Sequence, residues 1–138
     1  MNILFLCGGN VARSQMAEAI FNHAVKGTHT ARSAGTKVTA EREGQKLKDK
    51  DMNIVAVMEE IGIDVSNYER KMLTPEMAEV ANKIIVMMPS EKIPDYVSAS
   101  SNVIYWEVPD PFEQSLEFAR GVRDNLRILV ERLVKNLP

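Results

Sequence analysis

The run Ile84-Ile85-Val86-Met87-Met88 is apolar at every position and is stopped by Pro89. A strand with no polar face must be covered on both sides, which is the situation of an inner strand in a parallel sheet. Three further short runs carry a β-type pattern: Ile3-Leu4-Phe5-Leu6, Thr30 to Ser33, and Val103-Ile104-Tyr105-Trp106. Helical spacing fills the intervals. Met16, Ala17, Ile20, Phe21 and Ala24 recur on one face after Arg13, and Ile54, Val57, Met58 and Ile61 do so before Gly62, which caps the helix end. Thr74-Pro75-Glu76-Met77 supplies an N-cap and a first-turn proline for a helix running toward Val80. The longest stripe, Ala119, Val122, Leu126, Leu129, Val130, Leu133 and Leu137, predicts a helix from about Ser115 to the C-terminus.

Strands that alternate with helices pair in parallel through right-handed crossovers. The expected fold is therefore α/β, a three-layer sandwich with a four-stranded parallel sheet and helices on both faces. The 138 residues suffice for one core, and no repeat, linker or low-complexity stretch divides them, so residues 1–138 are expected to form a single domain. Such sheets bind ligands beyond the carboxyl ends of their strands, near the point where strand order reverses. The loop Cys7 to Ala12 lies at an end of that kind, and so does the loop holding Asp110.

A formal net charge of −2 offers no general attraction to nucleic acid or anionic lipid, so any anion site must be local. Cys7 is the only cysteine and has no disulfide partner, while His23 and His29 show no zinc-ligand spacing; neither metal nor cofactor is expected. Met1 and Asn2 lead straight into the first apolar run without a basic leader, and no apolar stretch nears the ~20 residues of a membrane span. A soluble, cytoplasmic protein with no membrane or nucleic-acid partner is expected. The stretch Glu41 to Asp51, with four basic and four acidic residues and no aromatic, reads as a solvated loop or a frayed helix start.

A lone cysteine is commonly a small buried hydrophobe, and the spacing C-x5-R arises often by chance. In this chain, however, Cys7 closes a strand and Arg13 opens a helix, so the backbone N–H groups between them can turn inward as a nest for a tetrahedral anion. Gly8 and Gly9 remove side chains where the anion must approach, Asn10 tolerates a left-handed conformation, and Val11 and Ala12 complete the loop. Arg13 offers a planar fork for two anion oxygens. The helix N-terminus and the guanidinium both favour a thiolate, which makes Cys7 a candidate nucleophile. The phosphate loop of nucleotide-binding ATPases needs Gly-Lys-Ser/Thr, and this stretch has no lysine. A thiolate attacking a phosphoryl group needs a proton for the leaving oxygen. Asp110, held between Pro109 and Pro111 just past the fourth strand, is the candidate acid, although Asp-Pro alone usually marks only a turn.

Together these residues resemble the low-molecular-weight protein tyrosine phosphatases and the arsenate reductases built on the same scaffold. The resemblance takes in Cys7-Gly8-Gly9-Asn10-Val11-Ala12-Arg13-Ser14, "SAGT" at Ser33 to Thr36, "MEEIGIDVS" at Met58 to Ser66, "IIVM" at Ile84 to Met87, and Asp110-Pro111. It implies metal-independent hydrolysis of a phosphomonoester of the phosphotyrosine type. Cys7 would form a phosphocysteine, Arg13 would hold the phosphoryl oxygens, and Ser14 would donate a hydrogen bond that stabilises the thiolate. Asp110 would serve as acid and then as base for the hydrolytic water. Asn10 and Ser33 would support the loop. The implied partners are a phosphorylated protein or small phosphoester as substrate, and phosphate, vanadate or arsenate as inhibitory oxyanions.

The chain departs from the family pattern at identifiable places. Ala12 stands where a second loop cysteine is common, so Cys7 lacks a partner for a reversible disulfide. No aromatic wall lies between Gly35 and Met52, which leaves Tyr68 and Phe112 as candidate platforms for an aryl phosphate or as packing residues. Tyr68 also takes the place of a supporting histidine, with Lys71 near a usual arginine; Trp106 reads as core. "WEVPDP" and "EFARGVRDNL" resemble the arsenate-reductase branch, but with no further cysteine such a reductase would need an external thiol. A non-catalytic phosphate-binding regulatory module is the remaining alternative.

Overall fold

Phe5 and Leu6, both fully buried, lie in strand β1 (Asn2–Cys7), which pairs in parallel with β2 (Thr30–Gly35) on one side and β3 (Lys83–Val86) on the other. The fourth strand, β4 (Val103–Tyr105), adds in parallel to β3, giving the order β2-β1-β3-β4, which reverses between β1 and β3. These relationships come from a computed structural model that describes residues 1–25 and 27–138. The helices are α1 (Arg13–Ala24), α2 (Met52–Glu59), α3 (Pro75–Val80), α4 (Asp95–Ser98) and α5 (Leu116–Lys135).

Alternation along the strands divides the core in two. Ile3, Phe5, Ile85 and Met87 pack with Met16 and Phe21 of α1, Ile54 and Met58 of α2, and Leu126 and Val130 of α5. Leu4, Leu6, Ile84 and Val86 turn the other way, onto Met77 and Ala78 of α3 and Val97 of α4. The result is the expected sandwich, with helices on both faces of a four-stranded parallel sheet. Among the described residues no helix is long and apolar enough to cross a membrane.

The helix starts follow from their caps. Thr74 accepts from Met77 N at 3.3 Å, and Ser115 accepts from Phe118 N at 3.1 Å. Gly62, just past α2, has φ +80, the left-handed turn that lets a chain leave a helix.

Three expectations change. The ladder of β3 ends at Val86: Met87 N still donates to Leu6 O, but the Met87 carbonyl turns to Arg13. Glu41 to Asp51 is solvated over Glu41 to Gly44 and ends at Asp51, the N-cap of α2, but it is not a free loop. Its backbone pairs with the 66–70 segment, Leu47 N donating to Tyr68 O and Arg70 N to Gln45 O, and Leu47 is fully buried at the start of a short 3-10 turn. Trp106 is half-buried rather than core, its ring tilted 5.8 Å from that of Phe5 beside the exposed edge strand β4.

Register is what places the site. Cys7 pairs with Gly35 and Leu6 with Val86, so β1, β2 and β3 all end at one edge, and the loop after β4 arrives there too.

Candidate active site

Cys7 Sγ lies at the base of a cleft of about 300 Å³ whose wall includes Gly9, Val11, Ala12, Arg13, Asp110 and Phe112. The thiol is 3% exposed and 2.9 Å from Ser14 Oγ in the first turn of α1. Ala12, at the N-cap position of α1, gives no side-chain cap, and among the described residues the backbone N–H groups from Gly8 to Ala12 meet no acceptor in the protein. Uncapped donors at a helix start form an anion site by themselves.

Asn10 holds the loop in shape. Its φ is +53, a left-handed conformation that asparagine tolerates and most side chains do not. Its buried amide donates to Ser14 Oγ at 2.8 Å and Ser33 Oγ at 3.0 Å, while its carbonyl oxygen accepts from Gln15 Nε2 at 2.9 Å and Lys71 N at 2.8 Å. Ser14 is thereby given a donor, which leaves its own hydroxyl proton for the sulfur. Behind the loop stands Gly35, where a Cβ would come within 2.6 Å of the Gly8 carbonyl oxygen and of Val38 Cγ2. Only a residue without a side chain lets β2 approach this closely.

The Arg13 guanidinium is anchored through Nη1, while Nε and Nη2 make no hydrogen bond within the described residues. Nη1 donates to Met87 O at 2.5 Å and Val108 O at 3.1 Å. Nε is buried without any acceptor, a cost that a bound anion would remove. Nη2 stands 3.7 Å from Asp110 Oδ2. The Asp110 carboxylate is 55% exposed, and its other oxygen accepts from Phe112 N at 3.0 Å. Nothing of the metal-ligating type gathers here: among the described residues no three His, Cys, Asp or Glu side chains come together.

The structure thus brings Cys7, Gly9, Val11, Ala12, Arg13 and Asp110 to one cleft, with Asn10, Ser14 and Ser33 behind it and Gly8 turned to accept from Lys37 N at 2.9 Å. Of the two aromatic candidates, Phe112 lines the cleft and Tyr68 does not. Tyr68 packs half-buried on the main core, where burial, and then Glu18 and Asp64, raise its phenol above the usual value.

Sequence reasoning missed Arg70. Lys71, expected near a usual arginine, sends its Nζ to Glu18 at 3.4 Å. The adjacent Arg70 is the residue on the loop, its Nε donating to Gly9 O at 2.9 Å and Nη1 to Gln45 Oε1 at 2.8 Å. Burial, and next the charge of Arg42, pull Arg70 below the ordinary guanidinium value, while the Cys7 sulfur acts in the opposite direction. Arg42 and Lys50, from the stretch read as a solvated loop, also line the cleft and join Arg13 and Arg70 there against the carboxylates of Asp110 and Glu113. The only signal for Arg70 was a polar run, "NYERK", and for Arg42 and Lys50 a mixed-charge stretch; neither carries a period.

The family model for low molecular weight phosphotyrosine protein phosphatase matches residues 2–138. A protein-arginine-phosphatase from Bacillus subtilis is 30% identical over 165 residues, spanning 99% of this chain and 97% of the relative. An arsenate reductase from Staphylococcus aureus is 29% identical over 131 residues, spanning 94% and 92%. Among solved structures, a low molecular weight protein tyrosine phosphatase from T. tengcongensis superposes with a TM-score of 0.83 at 29% identity, covering 99% of both chains. The fold, the cysteine-to-arginine loop and the match along nearly its whole length agree: this chain belongs to the low molecular weight phosphotyrosine protein phosphatase family.

Proposed function

We propose that this protein hydrolyses phosphomonoesters through a phosphocysteine on Cys7, with Arg13 and the loop amides of Gly8 to Ala12 holding the phosphoryl oxygens. The observation that carries the reading is the set of unused donors, Arg13 Nε and the loop N–H groups, on residues that share one cleft with the sole cysteine, Cys7. In the first step the Cys7 thiolate attacks phosphorus in line, the P–O bond breaks, and Asp110 gives its proton to the leaving oxygen. In the second, Asp110 takes a proton from water, the resulting hydroxide attacks phosphorus, and the P–S bond breaks to return thiolate and inorganic phosphate. Oriented donors and a guanidinium supply the charge stabilisation, so the chemistry needs no metal.

The substrate class is a phosphorylated protein, of the phosphotyrosine type, or a small phosphoester, with Phe112 as an aromatic surface in the cleft wall. Phosphate, vanadate and arsenate fit the same nest and should compete. A catalytic thiol without a disulfide partner works in a reducing compartment, which supports a cytoplasmic setting.

Arsenate reduction is the rival, because arsenate matches phosphate in charge and shape. With Cys7 the sole cysteine, it would need an external thiol to attack a Cys7–arsenate adduct. A parallel assay on one preparation separates the two. Hydrolysis of a phosphotyrosine peptide in the presence of chelator, without thiol-dependent arsenate reduction, is expected; the reverse pattern would move the protein to the reductase reading. Tight phosphate binding with neither activity would leave a binding module.

A further inference from the structure

Asp110 is the least supported member of the site. Its carboxylate is exposed, and it is steered by one Phe112 N–H and by Arg13 at 3.7 Å, so its aim depends on the loop that carries it. That loop is tied down from a residue on the far side of the sequence. Asp51, 9% exposed, accepts from Asn53 N at 3.1 Å through Oδ1, which caps α2, and from Glu113 N at 2.9 Å through Oδ2. Glu113 has φ +59, a left-handed conformation that a glutamate adopts only when something holds it. Asn53 Nδ2 adds a second tie, to Gln114 O at 3.0 Å. Asp51 itself is not part of the cleft wall.

We propose that Asp51 is a positioning residue for leaving-group protonation: its Oδ2 fixes Glu113 and thereby the direction in which Asp110 presents its carboxyl. The proposal rests on Asp110 being the acid. A capped helix start thus sets the geometry of the loop that carries the acid, and a small misplacement of the acid costs most where the leaving oxygen needs the proton most.

The test is Asp51→Asn, read as kcat/KM over phenyl, 4-nitrophenyl and 2,4-dinitrophenyl phosphate. Asparagine caps a helix as well as aspartate does, so its single oxygen keeps α2 while Glu113 N–H loses its acceptor. With phenyl phosphate, a poor leaving group, kcat/KM should fall by about tenfold or more, within the range of general acid catalysis. With 2,4-dinitrophenyl phosphate, which leaves without help, it should change little, and the melting temperature should stay near wild type. In an Asp110→Asn background the same substitution should add no further leaving-group dependence. Equal losses on all three esters, or none on any, would overturn the positioning role while leaving Asp110 in place. A flat leaving-group profile for Asp110→Asn alone would remove the acid assignment and this proposal with it.

Discussion

Arg13 Nη2, at the mouth of α1, stands 3.7 Å from Asp110 Oδ2 on the loop after β4. In the proposed mechanism the pair joins the two ends of the chain's chemistry: one group would complement the negative charge of the phosphoryl oxygens, and the other would handle the proton. Replacing Asp110 by Asn should therefore slow phenyl phosphate hydrolysis by roughly 10²–10⁴ while phosphate still binds. Stopped assays and calorimetry check the two halves; an undiminished rate would move the acid elsewhere.

Gly35 has no room for a methyl group, since a Cβ there would meet the Gly8 carbonyl at 2.6 Å. Gly35→Ala should push the loop out of its anion-binding shape. Loss of phosphate affinity by titration calorimetry, together with a lower melting temperature, is the expected outcome. Unchanged affinity would mean that the loop tolerates displacement from β2.

Asn10 combines a left-handed backbone with a buried amide that is bonded on both sides. Asn10→Ala strands several of those partners and puts alanine at positive φ. At about 1–3 kcal/mol for each buried group left unsatisfied, the loss in urea unfolding should be at least about 2 kcal/mol. A loss well below that would show that water or neighbouring groups replace the amide.

Glu60, at the end of α2, accepts from Arg120 and Arg123 of α5, and these bonds, Arg120 first, lower its carboxyl from 4.5 to about 2. The unfolded chain takes up the proton first as pH falls. The stabilisation is therefore complete above about pH 4.5 and is lost progressively toward pH 2. The difference in urea midpoint between wild type and Glu60→Gln should shrink over that interval. A difference constant from neutral pH to pH 2.5 would show that the cluster is not linked to protonation.

The parts of this fold that repeat are the parts that could be read from sequence. Strand β1 is a continuous apolar run, α1 and α5 carry helical spacing, and Thr74 caps α3 as its side-chain type predicts. The cysteine-to-arginine loop was legible for another reason: Cys7, the glycines, Asn10 and Arg13 are contiguous, so their geometry is local. Arg70 and Asp51 act over 61 and 62 positions, on Gly9 and Glu113, through single polar contacts that leave no periodic trace. The same holds for Arg42 and Lys50, whose mixed-charge surroundings look solvated until backbone pairing with the 66–70 segment brings them to the cleft. Tyr68 and Phe112 were equal candidates in the sequence because an aromatic near a turn serves packing and binding alike; only tertiary placement separates them.

The most direct test of the account is to catch the covalent intermediate. Enzyme mixed with 2,4-dinitrophenyl phosphate, quenched within one turnover and analysed by peptide mass spectrometry, should carry one phosphoryl group on the Cys7 peptide. Cys7→Ser should give no turnover while still binding phosphate. Steady hydrolysis with no phosphoryl group on Cys7, or turnover surviving in Cys7→Ser, would contradict the account at its centre.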